Sequence, residues 1–333
     1  MVENKKITAA ILMTGLMLTT LLSAISVNAF TTITPISPND TYNPGVERWA
    51  VLVGAAGDIY LHDDAIDLNE TLVNHGWQAD HIKVLTQPAF HRDQWHIRAT
   101  RENIINAIRW MAEKEDEDDI VLFFFGCHGG YKEIYTGDSK TITCEELNNE
   151  LDKFSSKNIA IIFNSCYSGS MVSIGSTVPV QEEQIAGVYD NNKGINTEGS
   201  EGLDKPGRVI LMSSGRFEIS WSSELLQNSI FTYFLIQGFE GKADDLNQDG
   251  WISAEEAFNY AKPRTTLFAR LKLICFQHPR IYDGYEGDFN IVPIDDQQNN
   301  PIQNQNLLEE NQNSQQTSNN YPVLITKAII NTI

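Results

Sequence analysis

The chain has 333 residues, 41% of them apolar, which is enough to bury one large core or two smaller ones. Its 44 acidic residues against 24 basic ones give a formal net charge of −20, and this excludes a nucleic-acid binder, because phosphate contacts need clustered Lys and Arg. Four cysteines, Cys127, Cys144, Cys166 and Cys275, are too few for a disulfide framework.

Lys5 and Lys6 precede an apolar run over 7–27, closed by the small-x-small pattern Val27-Asn28-Ala29. This reads as a secretory signal over 1–29, with an uncleaved membrane anchor as the alternative because the run is long. Either places the rest of the chain outside the cytoplasm, secreted or anchored. Residues 30–46, rich in Thr, Pro and Asn, read as a linker. The domain proper is expected over 47–294.

Within it the pattern predicts a first strand over 49–54 and a first helix over 63–75, stopped by Gly76. A second strand follows over 82–85. A second helix over 100–114 starts at Thr100 and is apolar at Ile104, Ile105, Ile108 and Met111. The acidic stretch over 113–119 reads as a solvated helix end and loop. A third strand over 120–126 leads into a polar hairpin over 130–143, a helix over 144–154 and a fourth strand over 159–164. A Gly-, Asn- and Ser-rich loop over 172–206 precedes a strand over 208–212 and a helix over 229–239. Alternating strands and helices imply an α/β fold with a mostly parallel sheet covered by helices on both faces. Residues 295–320 are Asn/Gln-rich and read as a disordered tail, followed by a short apolar segment over 321–333 with no evident role.

Two of these strands end alike. Phe123-Phe124-Phe125-Gly126-Cys127-His128-Gly129-Gly130 and Ile161-Ile162-Phe163-Asn164-Ser165-Cys166-Tyr167-Ser168-Gly169 each run from large apolar residues into small ones, as a buried parallel strand ends in a tight turn. Open α/β sheets bind ligands at the carboxyl ends of their strands. One crevice would then hold an imidazole and a thiol. A free thiol has a pKa of about 8.5 and needs a base to become a nucleophile at neutral pH. Gly129, without a Cβ, can bring an N–H close to a developing oxyanion, and the N–H of Cys166 is the natural second donor.

His128-Gly129 together with Cys166-Tyr167-Ser168-Gly169-Ser170-Met171 resembles the signature of the legumain-type and wider caspase-like cysteine peptidases, and the resemblance covers about 48–292. It implies a caspase-like sheet, His128 and Cys166 as the catalytic dyad, and Gly129 with Cys166 as the oxyanion hole. Legumains carry an acidic residue two positions before the catalytic Cys; here that position is Asn164. By position in such a fold, Asp63 and Asp64 after the first strand, and Ser213, Ser214 and Glu218 after the strand that follows the Cys strand, would join Asn164 in binding substrate. Carboxylates there favour Arg or Lys before the cut, ahead of Asn, whereas Asp63 and Asp64 would equally suit a helix cap.

Asp245-x-Asn247-x-Asp249-Gly250, with Trp251 at position seven, Ser253 at nine and Glu256 at twelve, matches a single EF-hand-like loop over 245–256. A structural calcium is the expected cofactor, and no organic cofactor is expected. The function expected is an extracytoplasmic cysteine endopeptidase acting on peptides or proteins through an acyl-enzyme. The alternatives are a transpeptidase or ligase on the same dyad, or an inactive calcium-stabilised binding module.

Overall fold

Why the strands sit where they do follows from their residues. The computed structural model describes residues 45–55, 59–87, 97–173 and 202–294. Contacts divide the chain into Met1–Tyr42 and Asn43–Ile333, and the described residues belong to the second unit. The signal or anchor, almost all of the linker, most of the 172–206 loop and both C-terminal segments lie outside the described residues.

The first half runs β1 (Arg48–Ala55), α1 (Ile59–Asn74), β2 (Ile82–Thr86), β3 (Ile97–Arg98), α2 (Arg101–Ala112) and β4 (Ile120–Cys127). Three short strands, β5 (Gly129–Gly130), β6 (Glu133–Tyr135) and β7 (Thr141–Thr143), lead to α3 (Cys144–Leu151) and β8 (Asn158–Asn164). The second half contains β9 (Arg208–Met212), β10 (Ser222–Ser223), β11 (Asn228–Ser229) and α4 (Ile230–Gln237). It closes with β12 (Trp251–Ser253), α5 (Ala254–Phe268), β13 (Arg280–Asp283) and β14 (Asn290–Pro293).

The seven-stranded sheet has the order β13-β9-β8-β4-β1-β2-β3. Its strand pairs are parallel except β13, which runs antiparallel to β9. The strands are apolar nearly throughout because both faces are covered. Along β4, Leu122 and Phe124 enter one core with Leu68 and Leu72 of α1, Phe231 of α4 and Phe258 of α5. Val121, Phe123 and Phe125 point the other way, into a core with Ile104 and Ile108 of α2 and Leu147 of α3. Each such Leu, Ile or Phe contributes about 1.5–3 kcal/mol when fully buried.

Two local expectations are corrected. The first helix begins at Ile59, four residues before the expected start, because Leu61, Ala65, Leu68 and Leu72 continue one buried stripe. Its first turn holds no acidic residue, so Asp63 and Asp64 are not caps. The stretch read as one hairpin is a three-stranded sheet, in which Gly129 and Gly130 pair with β6 and β6 pairs with β7. The expected cap does form: Thr100 accepts from the Asn103 N–H at 3.2 Å.

Candidate active site

Strand register builds the site. β4 and β8 are adjacent and parallel with Gly126 opposite Asn164, so His128 and Cys166, each two residues further on, leave the sheet side by side. Both line one cleft of about 440 Å³ at the carboxyl edge of the sheet, with Asn164, Ser220, Trp221 and Glu224. His128 is exposed and Cys166 half-buried.

Small residues let the two turns meet. A Cβ on Gly129 would overlap the Cys166 carbonyl oxygen and stand 2.9 Å from Ser165 Oγ, so only glycine lets β5 lie against the Cys turn. After Cys166 the backbone turns at Tyr167, which is left-handed with φ 59°. That strained residue is held by its N–H donating to the Glu218 carbonyl at 2.8 Å. The following Ser-Gly-Ser is a set of fasteners. Ser168 Oγ accepts from the Ser214 N–H at 3.1 Å, the Gly169 N–H donates to the Ser214 carbonyl at 3.0 Å, and Ser170 Oγ accepts from the Lys132 N–H at 2.8 Å.

The cleft is lined by two thiols with different partners. Cys127 is buried with its sulfur 2.7 Å from both the His128 and the Tyr135 carbonyl oxygens, which compete for its single S–H, and burial pushes its pKa well above the ordinary thiol value. Cys166 is also raised by burial, but its sulfur makes only a long contact of 3.9 Å to the Ser220 carbonyl. All four cysteines are free. Cys166 is therefore the less engaged of the two thiols, and burial disfavours its thiolate. Attack on a carbonyl requires that its proton be taken as the bond forms, and His128 leaves the adjacent strand at the same edge of the sheet.

The sequence profile of the caspase domain, a peptidase family, matches residues 54–269, well over half of the chain. The chain belongs to the caspase-domain family. No curated protein matches it. Among solved structures it is similar to protein GSU0716 from Geobacter sulfurreducens at 15% identity, covering 75% of this chain and 100% of that one with a TM-score of 0.44. A caspase domain is a cysteine peptidase domain with protein or peptide substrates.

Within the caspase domain, the six residues expected to bind substrate take different places. Asn164 lines the cleft. Asp64 lies directly beneath it, fully buried, accepting from Asn164 Nδ2 and the Ser229 N–H at 2.9 Å each. Burial raises its pKa to about 7. Asp63 is half-buried on α1 and outside the cleft lining. Ser213 and Ser214 are fully buried, and their hydroxyls donate to the Ser165 carbonyl at 3.3 and 3.0 Å, fixing the residue before Cys166. Glu218 is a prop. Burial raises its carboxyl, but hydrogen bonds from His278 Nδ1 (2.6 Å) and the Gly215 and His278 N–H groups outweigh that and hold it below its ordinary value.

Sequence reasoning missed Gln277. This fully buried amide donates to the Ser213 carbonyl at 2.9 Å and to Ser220 Oγ at 3.3 Å, and accepts from the Trp221 N–H at 3.0 Å. Ser220 Oγ in turn donates to Asn164 Oδ1 at 3.2 Å. A continuous chain thus runs from Asp64 through Asn164 and Ser220 to Gln277, under the cleft floor and up its wall. Nothing in the local sequence marks Gln277, which stands 111 positions after Cys166. Glu224, the acidic residue among those lining the cleft, was missed for the same reason: it sits between the two-residue strands β10 and β11.

In the 245–256 loop, Asp245 accepts from the Asp249 and Gly250 N–H groups at 3.2 and 3.1 Å, Asn247 Oδ1 from Asp249 N–H at 2.9 Å, and Asp249 from Trp251 N–H at 2.9 Å. Gly250 takes φ +82°, the turn that position six demands. Glu256 accepts from the Leu246 and Ser253 N–H groups at 2.6 and 3.0 Å, and Ser253 caps α5 through a reciprocal capping box. Trp251 begins β12, paired with β14. The donor set is all oxygen, which suits calcium. Its carboxylates are not drawn into one cluster. Among the described residues, the group of acidic atoms lying within 4.8 Å of one another is Asp116, Asp118 and Asp119, where Asp119 is engaged by Trp49 Nε1 at 3.0 Å and Glu47 N–H at 2.7 Å.

Proposed function

We propose that the protein is an extracytoplasmic cysteine endopeptidase that works through a His128–Cys166 dyad. The observation that carries this reading is the β4–β8 register, which brings an exposed imidazole and a half-buried thiol with only one long hydrogen bond to the same end of two neighbouring strands. His128 takes the Cys166 proton as sulfur attacks the scissile carbonyl. The Gly129 and Cys166 N–H groups receive the oxyanion, and His128 returns the proton to the leaving amine. Water, deprotonated by His128, then releases the acyl group from sulfur. The Cys166-to-Met171 stretch supports the narrower legumain-type kinship.

Primary specificity is for Arg or Lys. Among the described residues that line the cleft, Glu224 is the acidic side chain and none is Lys or Arg. A cationic side chain is the partner such a cleft solvates. Calcium held by Asp245, Asn247, Asp249, the Trp251 carbonyl and Glu256, with Ser253 at position nine, would tie α5 to the preceding turn. The apolar, Lys-preceded N-terminus supports export. Cleavage of a diverse peptide library by the full chain tests the reading: cuts after Arg or Lys, lost in Cys166→Ala, are expected. Cuts after Asn or Asp would refute the specificity, and absence of any thiol-dependent cut would refute the activity.

A further inference from the structure

Between α5 and β13 the chain projects as an apolar finger. Arg270, Leu271, Lys272, Leu273 and Ile274 are all exposed in succession, Phe276 follows, and Ile274 and Phe276 keep 90% and 70% of their surface in solvent. Leu267, near the end of α5, is exposed as well. Large apolar side chains clustered this way on a surface mark a place where something else binds.

The finger is built and held. Residues Ala269–Leu273 form one wide helical turn ending at Ile274 in the left-handed region, φ 52°. The Cys275 N–H donates to the Ala269 carbonyl at 3.2 Å and Thr266 Oγ1 to the Gln277 carbonyl at 3.0 Å. Gln277 then fixes the base to the cleft wall at Trp221.

Its charge is opposite to that of the chain. Between Glu256 and Asp283 there is no acidic residue, while Lys262, Arg264, Arg270, Lys272 and Arg280 fall there, in a protein of net charge −20. No ion pair joins Arg270 or Lys272 to a carboxylate among the described residues. Screening confines electrostatic attraction to about 8 Å at physiological salt, so a surface touching the finger meets its local positive charge and not the distant acidic excess.

We propose that this finger is a membrane-docking element: Leu271, Leu273, Ile274 and Phe276 enter an anionic lipid surface while Arg270 and Lys272 lie among its headgroups. Apolar tips flanked by cations bind interfaces in this way, through buried area and headgroup attraction together. Because Gln277 joins finger and cleft wall, docking would hold the cleft beside the lipid.

The test uses the full chain carrying Cys166→Ala, Cys275→Ser and Ile274→Cys, with an environment-sensitive dye on the new thiol; Cys127 and Cys144 are buried and spared. A dye at the tip reports insertion of the finger whatever the 7–27 segment does. A blue shift is expected on vesicles containing phosphatidylserine and none on pure phosphatidylcholine. Adding Arg270→Gln and Lys272→Gln should weaken partitioning about 25-fold, about fivefold for each charge. Leu271→Ser with Phe276→Ser should weaken it with the charge unchanged, and matching thermal melts would show that each variant is folded. No shift on the anionic vesicles, or a shift equal on both lipids and in the charge-neutralised chain, would overturn the proposal. So would a shift that arises without lipid and grows with protein concentration, which would assign the finger to self-association.

Discussion

Replacing Asp64 by Asn should remove a specific pH dependence of stability. Asp64 is fully buried, with burial raising its pKa from an ordinary 3.8 to about 7. In the unfolded chain it ionises near pH 4, while in the fold it keeps its proton until about pH 7. The native state therefore binds more protons between these values, and this group makes stability fall as pH rises through that window. Three pKa units at about 1.4 kcal/mol each give about 4 kcal/mol, fully lost above pH 7. Asparagine can stay in the network: turning the Asn164 amide lets its oxygen accept from the new side-chain NH2, and the Ser220 hydroxyl can rotate to accept in turn. Urea denaturation of wild type and Asp64→Asn at intervals from pH 4 to 8 reads the difference. The variant should gain on wild type steadily from pH 4 to 7 and hold a constant lead above it. A difference that does not change with pH would refute the reasoning.

Gly129→Ala should lower turnover at least 100-fold with the secondary structure intact by circular dichroism, because its Cβ would push β5 away from Cys166 and displace the N–H proposed to receive the oxyanion. Gln277→Leu removes three hydrogen bonds from a buried site, and should cost about 2–4 kcal/mol in denaturant melts and raise KM more than it lowers kcat, since it acts on the cleft wall. Chelation of calcium should lower the melting temperature, by the equivalent of about 2.7 kcal/mol if the ion is present at 100 times its Kd, and Glu256→Gln should blunt that response; identical melts with and without chelator would remove calcium from the account.

The parts legible in the sequence were those with a repeating physical cause. Strands buried on both faces have to be apolar at every position, so β1, β4, β8 and β9 stand out, and their ends locate His128 and Cys166. Helix edges were less legible: α1 starts early because a buried Leu61 governs its onset, and two carboxylates that looked like caps lie inside it. The cleft wall was the least legible. Ser213, Ser214 and Glu218 carry the right groups at the right positions for contact with substrate, yet each is spent on a backbone group of the Cys turn or its flanking loop. Their partners come from segments far apart in sequence, and no local pattern records such pairings. Gln277, which closes the chain from Asp64, is the clearest case.

The central claim is that Cys166 is a nucleophile activated by His128. A peptidyl electrophile with Arg at the position preceding the reactive group, followed by mass spectrometry of the labelled chain, tests it most directly. The account predicts one label, on Cys166, with the labelling rate falling at least 100-fold in His128→Ala and no label in Cys166→Ala. Labelling at Cys127 or Cys275 instead, or an unchanged rate in a folded His128→Ala variant, would contradict it.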